Sequence, residues 1–139
     1  MAKLKIRDEH IKEGLITVPR QKLFPIRDQL DLIDHETEIV LGVRAVEAAG
    51  HTPGHMAVAI ASEGEELLYI SDTVIHPIHL QRPDWYSAVV IDPVRAVATR
   101  RRISERAVAE KTMVCASHFP FPSLGYVVKE GEGWRWEAL

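Results

Sequence analysis

The sequence predicts a mixed α/β (α+β) fold built on one sheet, with helices on one face. Short apolar runs with β-branched residues recur through the middle of the chain, separated by glycine-containing turns. One long amphipathic stretch, opened by Asp92-Pro93, reads as a helix to about Glu110. The strand pattern is apolar on both faces at Met56–Ala61, which a sheet shows only when both sides are covered.

Residues 1–15 are charged and read as a tail or a short helix, within a single domain spanning 1–139. Pro19 suits the first position of a helix through about residue 34, with Leu23, Ile26, Leu30 and Ile33 on one face. Glu38–Leu41 and Val43–Ala48 read as strands turning at Gly42. Met56–Ala61 and Leu67–Ile70 follow, joined through residues 62–66. After the helix at 93–110 come a strand at Thr112–Ala116 and a closing hairpin, Gly125–Lys129 and Trp134–Glu137. Met56, Val58 and Ile60 point to one side of their strand and Ala57, Ala59 and Ala61 to the other. The two helices cover one side; the other calls for a second layer, expected from another chain.

Composition excludes several classes. The 139 residues carry 17 basic and 20 acidic side chains, a net charge of −3, which does not suit a nucleic-acid surface. Arg100-Arg101-Arg102 reads as the solvated face of its helix. The single cysteine, Cys115, lies in an apolar run, builds no disulfide framework and fits a reducing, cytoplasmic setting. No apolar segment is long enough to span a membrane.

The chemistry concentrates at three strand ends. Gly50-His51-Thr52-Pro53-Gly54-His55 forces an irregular turn after Val43–Ala48, so the His51 imidazole projects there. Asp72 occupies the same place after Leu67–Ile70, and His118 after Thr112–Ala116. Neighbouring strand ends bring such donors within ~2.0–2.2 Å of a common zinc ion. His55 opens the next strand and is suited to orienting the loop or a ligand. Phe119 and Phe121 suit an apolar pocket wall beside His118 and equally a core anchor. His76 lies in a loop with His79.

These motifs resemble the C-terminal half of the metallo-β-lactamase superfamily, from about Leu30 to the end. Asp72-Thr73-Val74-Ile75-His76-Pro77, Arg82-Pro83-Asp84-Trp85, Ala98-Thr99-Arg100-Arg101-Arg102 and His118-Phe119-Pro120-Phe121-Pro122 look like its branch containing methyl parathion hydrolase, lactonases and esterases. The resemblance implies half of an α/β/β/α sandwich. It implies that His51 binds one zinc or other divalent metal, that Asp72 bridges two and that His118 binds the second. It implies that the loop of His76 and His79 lies near the active-site mouth, where substrate contact and loop packing are both open to them, and it implies hydrolysis of an ester, lactone or phosphoester.

The superfamily's first motif, His-x-His-x-Asp-His, does not occur within residues 1–139, and Arg7-Asp8-Glu9-His10 does not match it. Ser71 and Ser123 stand where the family usually has glycine. With two donors per metal, the chain alone is expected to bind metal weakly or not at all and to be inactive. The expected partner is a separate N-terminal half. The alternative is a non-catalytic homodimer that keeps the fold without the activity.

Overall fold

A computed structural model describes residues 9–139, which fall into two compact units, up to Asp34 and from His35 to Leu139. In the first unit, α1 runs from Glu9 to Leu23 with Pro19 inside it, followed by a 3-10 helix at Phe24–Gln29. The expected helix at 19–34 is thus displaced. Proline lacks one N–H, and α1 accommodates that single loss in mid-helix. The start signal operates instead at Pro25, in the first turn of the 3-10 helix, and residues 30–34 are not helical. Residues 1–8 lie outside the described part.

The second unit is one seven-stranded mixed sheet, in spatial order β1 to β7. Its strands are β1 (Thr37–Val40), β2 (Val43–Glu47), β3 (Met56–Ser62), β4 (Glu65–Tyr69), β5 (Met113–Cys115), β6 (Leu124–Glu130) and β7 (Gly133–Ala138). Neighbouring strands are antiparallel except β4 and β5, which are parallel. A parallel pair needs a long crossover, which here carries α2 (Ile78–Gln81) and α3 (Pro93–Glu110). Among the described residues no helix is long and apolar enough to cross a membrane.

Register assigns the two faces. Ala59 opposes Leu68, Leu68 opposes Val114, and Val127 opposes Trp136, so these side chains share one side of the sheet. With Val46, Ala57, Ile70 and Ala116 they form the core, together with Leu80 of α2 and Ile103 and Ala107 of α3; Trp136 packs against it partly buried. α2 and α3 therefore sit on one face, where the sequence places the helix at 93–110; the helix expected at 19–34 has no counterpart in this unit. Trp134 is the largest fully buried side chain, and the Lys129 ammonium lies 4.2 Å from its ring centre.

The opposite face carries Met56, Val58, Ile60, Leu67, Tyr69, Met113, Leu124 and Tyr126, on strand positions alternate to the core set. All are only half-buried or exposed, and none belongs to the core cluster. The apolar alternation read at β3 thus extends across the middle of the sheet.

Two serines hold positive φ, Ser71 at 45° and Ser123 at 64°, the left-handed region that favours glycine. A side chain there costs about 1–2 kcal/mol. Ser71→Gly is expected to raise stability by about 0.5–1 kcal/mol after glycine's extra chain entropy is subtracted. Ser123→Gly should gain less, because the Ser123 hydroxyl donates to the Phe119 carbonyl at 2.9 Å. Thermal midpoints of the two variants check both the sign and the order.

Candidate metal centre

The turn after β2 places His51 by an interlocked set of backbone bonds. Gly50 N–H donates to Thr52 O at 3.0 Å, His55 N–H to Thr52 O at 3.3 Å, and Ala48 N–H to His55 O at 3.0 Å. The turn is then fastened to α3. Ile91 N–H donates to His51 O at 3.1 Å and Asp92 N–H to Gly50 O at 3.0 Å. The Thr99 hydroxyl donates to Ala49 O at 2.7 Å. Asp92 also caps α3, its carboxylate accepting from Arg95 N–H at 3.0 Å.

Asp72 stands in a 3-10 turn, Ser71–Thr73, directly after β4. The sequence places it correctly after the strand and does not reveal this turn. Its two carboxylate oxygens face different imidazoles: Oδ1 is 2.8 Å from His118 Nε2, and Oδ2 is 3.9 Å from His51 Nε2. His55 supports the arrangement from behind. Its Nδ1 lies 3.0 Å from Ala48 O, and its Nε2 accepts the Asp72 backbone N–H at 3.1 Å. With Nδ1 as donor and Nε2 as acceptor, one neutral tautomer satisfies both contacts. The structure therefore gathers His51, Asp72, His118 and His55 from three strand ends.

Electrostatics at the site favour a neutral His51. Burial pushes its pKa below the usual histidine value, the Asp72 carboxylate opposes the shift, and His55 and His118 add to it. Neutral imidazole is the form that donates a lone pair to a metal. His51 Nδ1 is buried without a hydrogen-bond partner among the described residues, whereas ligating histidines usually have that nitrogen bonded.

The donor types fit a divalent ion, but their number does not. Among the described residues no group of three or more His, Cys, Asp or Glu side chains is arranged to hold a metal. Asp72 counts toward both positions, giving His51 with Asp72 and Asp72 with His118, while a catalytic zinc takes about three protein ligands. The described residues thus offer two imidazoles around one shared carboxylate, too few donors for a complete metal site.

The other residues singled out in the sequence are dispersed. Phe119 is buried, edge-on to Trp136 with ring centres 4.8 Å apart, so it is the core anchor its position also allowed. Phe121, by contrast, is 97% exposed. His76 is exposed and its Nδ1 accepts from Ile78 N–H at 3.1 Å. Two clefts of about 340 and 430 Å³ lie elsewhere, beside Arg44 and Glu66 and around Leu67 and Met113. Neither includes His51, Asp72 or His118.

Arg100 corrects the sequence reading. Arg101 pairs with Asp84 at 2.8 Å, and Arg102 donates to Glu47 O, both at the surface. Arg100, however, is only 2% exposed. The signal was present: position 100 falls on the α3 stripe of Ala96, Ile103 and Ala107, at spacings of three and four.

No family model and no curated protein sequence matches this chain. Solved structures do. The chain is similar to AidC, a dizinc quorum-quenching lactonase solved with the product N-hexanoyl-L-homoserine, at 25% identity and a TM-score of 0.81. That match covers 99% of this chain and 50% of AidC. The hydrolase AbOPH of the β-lactamase superfamily matches at 27% identity and a TM-score of 0.73, over 86% of this chain and 42% of AbOPH. A probable metal-dependent hydrolase from Staphylococcus aureus shares the fold at 19% identity and a TM-score of 0.68, over 81% and 41% of the two chains. The chain thus spans half or less of the length of these hydrolases. In its sheet and its helices the chain is thus similar to hydrolases of the metallo-β-lactamase superfamily, over half or less of their length.

Proposed function

We propose that this chain carries one side of the active site of a metal-dependent hydrolase acting on ester, lactone or phosphoester bonds, with zinc or another divalent metal. The observation that carries the reading is the Asp72 carboxylate, whose oxygens face His118 Nε2 at 2.8 Å and His51 Nε2 at 3.9 Å. A carboxylate placed between two imidazoles is suited to serving two adjacent positive centres. The lactonase and hydrolase names of the similar structures support the reaction class. In this reading His55 orients Asp72 through its backbone, His51 is held neutral and ready to donate, and His118 stands at the solvent side. The missing donors come from a second polypeptide segment, and residues 1–139 alone do not hydrolyse substrate.

The test compares this chain alone with the chain co-expressed with a segment carrying the His-x-His-x-Asp-His motif. The expected result is little metal on the chain alone and about two metals per reconstituted complex, with hydrolysis of a small lactone or ester. Reconstitution that restores neither metal nor hydrolysis would sink the reading.

A second reading has its own observation, the apolar sheet face of Val58, Ile60, Leu67, Met113 and Tyr126 opposite the helices. Two copies packed through this face would form a non-catalytic homodimer. A solution mass of two chains without metal supports it, and a stable monomer excludes it.

A further inference from the structure

Arg100 is a buried cation to which, among the described residues, no carboxylate is hydrogen-bonded. Its guanidinium donates instead to three backbone carbonyls: Thr73 O at 3.3 Å, Pro83 O at 2.7 Å and Trp85 O at 2.6 Å. The first lies immediately after Asp72, and the other two lie at the far end of the same loop. The segment between them holds His76, His79 and the buried Leu80. Burial lowers the Arg100 pKa to about 10, with Asp84 opposing, so the group keeps its charge at neutral pH.

The preceding residue performs the matching task for the other half of the site. Thr99 donates to Ala49 O at 2.7 Å, within the turn that carries His51. Consecutive residues of one helix thus grip the His51 turn and the Asp72 loop. Because α3 is a stiff element, the two grips share one frame. We infer that Arg100 is a positioning residue that sets where Asp72 stands relative to His51, by clamping both ends of the 73–85 loop to α3.

A planar guanidinium suits this task and an ammonium does not. Its donors form a rigid fork that serves carbonyls in several directions at once. Lysine at this place keeps the charge and loses the fork. The backbone of Asp72 would then be held by its 3-10 turn and the bond from its N–H to His55 Nε2, without the grip on Thr73 O.

The inference takes from the proposed function only that Asp72 is a site residue, and its test is read without metal or substrate. Amide hydrogen exchange is measured on the purified chain and on R100K and R100A. In R100K the amides of Asp72, Thr73 and Trp85 are expected to exchange at least about tenfold faster. Those of Leu68 and Val114, in the sheet core, should stay within about twofold. In R100A, millimolar methylguanidinium should restore the loop protection, and sodium chloride at equal ionic strength should not. Unchanged loop amides in R100K overturn the clamp. So does an equal rise at every amide, which would make Arg100 a general packing residue, and so does a folded R100A that methylguanidinium does not rescue. Where R100A does not fold, R100K decides. Failed reconstitution of hydrolysis would remove the enzymatic reading and leave these outcomes intact.

Discussion

Alanine at Gly50 is expected to destabilise the chain by about 3 kcal/mol or more, the sum of overpacking and an unfavourable backbone angle. Gly50 holds φ at +142°, and a Cβ built there meets Ala96 Cα and N at 2.4 Å. Those are backbone atoms of α3, so no side-chain rotation relieves the clash. The helix would have to withdraw from the turn, stretching Asp92 N–H to Gly50 O and the Thr99 hydroxyl to Ala49 O. Urea unfolding midpoints at an unchanged m-value measure the loss. Gly54 is the internal control, because a Cβ there meets nothing within 4 Å. Gly54→Ala should stay within about 0.5 kcal/mol of the parent. A Gly50→Ala protein as stable as Gly54→Ala would show that α3 does not rest on the turn.

Asp72→Ala is the substitution with the largest expected effect on function. If Asp72 serves two metals as proposed, its loss in the reconstituted protein should lower metal affinity at least about 100-fold and abolish hydrolysis. The Asp72 side chain is 32% exposed and belongs to no core cluster, so the fold should survive. Metal titration and an unfolding curve on the same preparation separate the two effects. Retained affinity in the folded variant would mean that Asp72 does not bridge. His118→Ala removes a donor from one position only and should leave the other occupied, so a graded loss is expected there.

The sequence made the sheet legible because strand signals are local. Alternation at Met56–Ala61, the Gly42 turn and the Glu130–Gly133 connection each define a strand or hairpin within a few residues, and β3, β6 and β7 follow them closely. The helix at 93–110 was equally legible, because Asp92 and Pro93 supply both the cap and the start. Pro19 misled for the same local reason. A proline favours the first turn of a helix and is costly inside one, yet α1 runs through Pro19, and nothing within a few residues signals that exception. The Arg100-Arg101-Arg102 run misled by composition, since three like residues on a helix point in three directions and one of them faces the core.

The site divides along the same line. His51, Asp72 and His118 stood out because each follows a strand-like run, and strand ends converge when strands share a sheet. The places of those three residues after strands, the helix at 93–110 and the doubly apolar strand at Met56–Ala61 are what the sequence by itself determined. Tertiary structure alone decided that β4 and β5 are parallel neighbours, which brings His118 within 2.8 Å of Asp72 across 46 residues of chain. It also decided the Nδ1–H tautomer that satisfies both bonds of His55, the burial of Phe119, and the joint grip of Thr99 and Arg100 on two loops. All but the contact of His55 with Ala48 join residues far apart in sequence. Local propensity carries no information about such contacts, because their partners are chosen by how the whole sheet and α3 pack.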